Sequence, residues 1–125
     1  MEQRESKRDM LRFEVGGRRY EIPVAEVERV LSLQRRALSP IPFGLGGRIE
    51  GLFSFRGVAL PLIRVGDGPL GPDGDEGLMT VVLLAAGGRR FGVAVDSVSS
   101  VSNEAEAGAA VVCAQALYEG SAGGL

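Results

Sequence analysis

The chain has 125 residues, 45 % of them hydrophobic and 24 % charged, which suits one globular domain with its own core and argues against disorder. With 14 basic residues against 16 acidic ones and a net charge of −2, it lacks the basic excess of a duplex nucleic-acid binder. The single cysteine, Cys113, and the absence of histidine exclude an internal disulfide, histidine-based triads and histidine-ligated zinc.

Residues 1–10, MEQRESKRDM, are charged and have no apolar segment behind them. They read as a disordered tail rather than a secretory signal. No apolar run reaches the roughly 18 residues of a membrane span, so a cytoplasmic chain without membrane insertion is expected. Leu11, Phe13 and Val15 then alternate with Arg12 and Glu14, and Tyr20, Ile22 and Val24 alternate with Glu21 and Pro23. Joined by Gly16-Gly17-Arg18, these runs predict a hairpin with one wet face. Val24, Val27, Val30 and Leu31 switch to helical spacing over a stretch too short for a long helix, predicting a turn or two leading into another strand. Ser39 to Gly47 is a loop by its prolines and glycines.

Ile49 to Phe55 and Val58 to Val65 predict two strands meeting at Arg56-Gly57. The second is apolar on both faces, so it is expected to be covered on both. Arg56 itself has two readings: a surface arginine paired with Glu50, or an interface arginine beside apolar surface. Residues 66–77 form an acidic, glycine-rich loop. Leu78 to Ala86 and Phe91 to Val95 predict another hairpin, and Asp96 after it suits a turn in which it accepts from nearby backbone N–H groups. Cys113, in the run AAVVCAQAL, reads as a small buried hydrophobe. No nucleophile stands beside a base, and neither GLGGRIEG nor DGDEG has the spacing of a phosphate loop or an EF-hand. No enzyme, metal site or cofactor is expected.

The two hairpins carry an internal repeat. Gly87-Gly88-Arg89-Arg90 repeats Gly16-Gly17-Arg18-Arg19 at an offset of 71, and the same offset lays Tyr20 on Phe91, Ile22 on Val93, Val27 on Val98 and Val30 on Val101. Two copies of one β unit are expected, subdomain 1 over about 11–66 and subdomain 2 over about 77–125. In the second copy, Tyr118-Glu119-Gly120 reads as the counterpart of Ile49-Glu50-Gly51, with too little sequence after it for a counterpart of the Ile49–Val65 hairpin. The second unit is therefore expected to be incomplete and to leave an open sheet edge.

Three segments, LRFEVGGRRYEIPVAEVERVL, IEGLFSFRGVALPLI and VVLLAAGGRRFGVAVDSVSSV, resemble in order those of the CheW-like family. The resemblance implies a mainly β fold of two pseudo-symmetric SH3-like barrels with short helical turns. It also implies a non-catalytic adaptor that binds a histidine kinase regulatory domain and the cytoplasmic hairpin of a chemoreceptor. Arg56 and Gly57 match the arginine and glycine of the family's interaction motif, while Asp96 and Val98 match its V-D-x-V segment. Val24, Val27 and Val93 are candidate groove residues for the same partners. The chain departs from the family in having Ser54-Phe55 before the arginine and Arg64 where an aspartate is common. A second reading is a divergent structural member, outside chemotaxis signalling, that forms homo-oligomers through its open edge.

Overall fold

The computed structural model describes residues 9–39, 49–65, 77–102 and 110–123; residues 1–8, most of the 39–47 loop and nearly all of the 66–77 loop lie outside them. Among the described residues, nine strands form two sheets. The first is ordered β8-β1-β2-β9, with β1 at Met10–Val15, β2 at Arg18–Pro23, β8 at Ser97–Ser102 and β9 at Ala110–Val111. The second is ordered β3-β6-β7-β5-β4, with β3 at Val27–Gln34, β4 at Ile49–Phe55, β5 at Val58–Ile63, β6 at Leu78–Ala86 and β7 at Arg89–Val95. A 3-10 turn at Val24–Glu26 separates β2 from β3, and a helix, α1, spans Ala114–Gly123.

Neither sheet is built from one half of the sequence. Strand β3 leaves its own hairpin and pairs with β6, while β8 leaves its hairpin and pairs with β1. The two exchanges share one register. Val27 faces Leu84 and Arg29 faces Leu83, with Glu28 left over as a bulge; Val98 faces Phe13 and Ser100 faces Arg12, with Ser99 left over. Each of these positions maps onto its counterpart at the offset of 71, so the duplication seen in the sequence is an exchange of third strands in space. Each sheet thus mixes strands from 11–66 with strands from 77–125.

Two clusters fill the interior. One lies between the sheets and joins Leu11, Phe13, Val15, Tyr20 and Ile22 to Ile63, Val82, Leu84, Phe91, Val93 and Val95. The other, with Phe53, Leu60, Leu62, Met79, Val81 and Leu83, lies on the opposite face of the five-stranded sheet. This explains why β6 and β5 are apolar on both faces: odd and even positions enter different cores. The sheet curls back on itself, since Ser39, just beyond β3, exchanges backbone hydrogen bonds of 2.8 and 2.9 Å with Leu52 of β4. Gly92 makes the fit inside that curl. A Cβ there would stand 2.8 Å from Val81 Cγ1 and 2.9 Å from the Phe53 ring, closer than packed carbons approach.

Three expectations fail locally. The face of β1–β2 expected to be wet holds Glu21, fully buried, with Arg12 Nε donating to its Oε2 at 2.7 Å. Arg12 and Glu21 are direct partners in the ladder, so the cross-strand charge pair closes over itself. Residues 118–120 are helical rather than a strand like 49–51. The strand position beside β2 is taken instead by β9, paired in parallel at Tyr20–Ala110 and Glu21–Val111, as β5 is to β7. Cys113 is only partly buried. Its Sγ accepts from the Ala116 N–H at 3.4 Å at the start of α1, where Glu26 also accepts from Ala114 N at 2.7 Å.

Candidate protein-interaction site

Three hairpins turn on two residues with positive φ at both, the backbone of a type I′ turn. Two of them use glycine twice, Gly16-Gly17 and Gly87-Gly88; the third uses Arg56-Gly57, with φ of 54° at Arg56 and 82° at Gly57. Arg56 is the only residue other than glycine in this region among those described. A side chain there costs on the order of 1 kcal/mol against glycine. The sister turns avoid that cost, so the arginine is retained for something other than the turn.

Its guanidinium lies 5.2 Å from the centroid of the Phe55 ring. Two more reach the same ring: Arg29 from β3 at 5.6 Å and Arg90 from β7 at 5.7 Å. The curl of the five-stranded sheet brings these separated strands together. Glu28, the bulge residue, accepts from Arg90 Nε and from a terminal nitrogen, each at 3.0 Å. That two-pronged bond holds the Glu28 carboxyl below its ordinary pKa; the charges of Arg90, Arg56 and Arg29 act the same way, and partial desolvation opposes them. The patch is thus one aromatic ring, three cations and one carboxylate.

The other expected site residues are elsewhere. Glu50, the partner anticipated for Arg56, pairs with Arg64, so the arginine that departs from the family pattern is tied down within the β4–β5 hairpin. Val24, Val27 and Val98 are partly exposed and pack against the main core, as do Leu117 and Tyr118 of α1. Val93 is fully buried in that core and presents no surface to a partner; alternation with Phe91 and Val95 already directs it inward. The Asp96 carboxylate accepts from Gly16 N at 2.8 Å, so it holds a turn of the other half rather than its own. Phe55, Arg29 and Arg90 are not legible as a group in the sequence because long-range pairing assembles them: β7 reaches β4 through β5, and the exchanged β3 brings Arg29. A usable signal was Phe55 directly before the arginine, a flat surface for a cation.

The family model of the CheW-like domain matches residues 9–107. The chain belongs to the CheW-like family. The fold agrees: the scaffolding protein TtCheW from Thermoanaerobacter tengcongensis superposes with a TM-score of 0.61 at 21 % identity, over 75 % of this chain and 63 % of that one. The CheW-like chain thus spans under two thirds of that protein's length. No curated protein matches it by sequence. Among the described residues, no helix of this CheW-like domain is long and apolar enough to cross a membrane, and no group of three or more potential metal ligands comes together.

Proposed function

We propose that this CheW-like domain is a non-catalytic adaptor that couples the cytoplasmic hairpin of a chemoreceptor to the regulatory domain of a CheA-type histidine kinase in the cytoplasm. Family membership supports the class of function. The observation that carries the assignment of the surface is Arg56, an arginine kept in a left-handed turn where the two sister turns have glycine. Binding surfaces held on a rigid β framework fix two partners in one relative geometry, which is the whole mechanism of a scaffold. Val24, Val27 and Val98 supply apolar contact area, and Arg56 and Gly57 supply a charged corner.

Co-sedimentation with a receptor hairpin and a kinase regulatory domain tests the reading. The wild-type domain is expected to bring down both, and Arg56→Glu is expected to lose one while keeping its fold. A wild-type domain that binds neither overturns the assignment.

A second reading, self-association, is favoured by the edge at β9. Among the described residues that strand pairs with β2 over two positions, and Val111 on it is 66 % exposed, an apolar side chain at a sheet edge. A concentration-dependent mass in solution, abolished by Val111→Lys, would support it.

A further inference from the structure

We infer that the patch of Phe55, Arg56, Arg29 and Arg90 is a carboxylate-binding cradle whose occupant is an acidic segment of a partner protein; this deepens the scaffold reading and rests on it for the partner's role. Three guanidiniums share one ring, and the only carboxylate bonded to them among the described residues is Glu28, held by Arg90. Arg29 and Arg56 have no ion-pair partner among the described residues, and both are exposed. Guanidiniums held against a ring are partly preordered and keep their in-plane donors for a second carboxylate. The ring supplies apolar contact for the stem of the incoming side chain.

Charge decides the kind of partner. The chain's net charge of −2 offers no basic field of the kind that holds a polyanion such as nucleic acid, whereas a short acidic segment needs only the local guanidiniums. Two available guanidiniums, one on β3 and one on the β4–β5 turn, match a segment with two carboxylates on one face. The cradle is also one-sided. The pseudo-symmetric places of Glu28 and Arg29 hold Ser99 and Ser100, so the duplicated module offers an acidic partner one docking corner and gives the complex a direction.

The test uses a labelled helical peptide with two glutamates one turn apart and a second peptide with glutamine at both places. The glutamate peptide is expected to bind, more weakly as salt rises, and the glutamine peptide about tenfold more weakly or worse. Arg29→Gln with Arg56→Gln is expected to lose about tenfold in affinity for the glutamate peptide, whereas Arg18→Gln, at an exposed arginine outside the patch, is not. Arg56→Gly paired with Arg29→Gln repeats the measurement with a residue the turn accepts, so that loss of binding is not loss of fold. Equal binding of the two peptides, or full binding by the double variants, overturns the inference. If the wild-type domain captures receptor and kinase but the glutamate peptide neither binds nor competes, the cradle falls and the adaptor stands. If the peptide binds through Arg29 and Arg56 but neither protein is captured, the adaptor falls and the cradle stands.

Discussion

Glu28 and Ser99 are the same position occurring twice: each is the extra residue of the bulge where a third strand crosses to the other half's hairpin. Their surroundings have diverged. Glu28 reaches Arg90 with two bonds of 3.0 Å, while Ser99 Oγ donates to the Arg12 carbonyl at 3.4 Å and Arg19, the counterpart of Arg90, lies 3.8 Å from Glu14. The backbone kept its symmetry because both sheets need the exchange to bury their faces. The exposed side chains carried no such constraint, and one copy gathered charge.

The Glu28 pair sets a pH dependence. Its carboxyl is depressed in the folded state, chiefly by the hydrogen bond from Arg90. The stabilisation is therefore present above the unfolded value near 4.5 and is lost as pH falls through the lower folded value. An NMR titration of the Glu28 side-chain carbon is expected to show a midpoint below 4.5, shifting upward in Arg90→Gln. A midpoint at or above the ordinary value contradicts the pair.

Arg12 is expected to matter far more to stability than an arginine on a hairpin surface. Its partner Glu21 is fully buried, so Arg12→Ala takes a bonded cation from a carboxylate held out of water, at roughly 3 kcal/mol. Arg12→Met combined with Glu21→Leu removes both charges and is expected to recover most of that loss. Urea denaturation midpoints of the three variants decide it; an Arg12→Ala midpoint equal to wild type would show the pair to be incidental.

Gly92→Ala places a methyl against Val81 and the Phe53 ring. Overpacking of this kind costs about 1–3 kcal/mol. Phe53→Leu is destabilising by itself but is expected to relieve part of the alanine's cost in the double variant, a coupling readable from a double-mutant cycle. Additive effects would mean that Gly92 and Phe53 do not share the space.

Arg56→Gly is expected to leave thermal stability unchanged or raise it by up to about 1 kcal/mol, as left-handed strain is released against the greater freedom of the unfolded chain. Arg56→Val, β-branched in the same conformation, is expected to lower it. Melting curves that place Arg56→Gly at or above wild type and Arg56→Val below it bear the strain out; Arg56→Val at or above wild type contradicts it.

Strand limits and hairpins were legible because alternation and the glycine turns are local signals: β1, β2, β4, β5, β6 and β7 fall close to where the pattern puts them. The repeat was legible because it is written in the residues. Pairing of β3 with β6 was not, since no local preference says which distant edge a strand joins. The site inherits that limit. Arg56 could be singled out as a cation at a turn, but Arg29 joins it only through the crossed strand β3, and Arg90 only through the pairing of β7 with β5. Glu21 misled for a related reason: its alternation is that of a solvated face, and the pairing with Arg12 and the arrival of β9 bury it.

The crossing of third strands also dictates an order of events as the polypeptide leaves the ribosome. Strand β3 has no edge to join until β6 has emerged, and β1 waits for β8 some eighty residues behind it. The amino-terminal half therefore cannot mature by itself, and its hairpin must stay unmatched until β8 has been made. Truncations that stop before β8 are expected to yield aggregates rather than a smaller stable lobe, which gives nascent chains of this design a lasting need for chaperone protection.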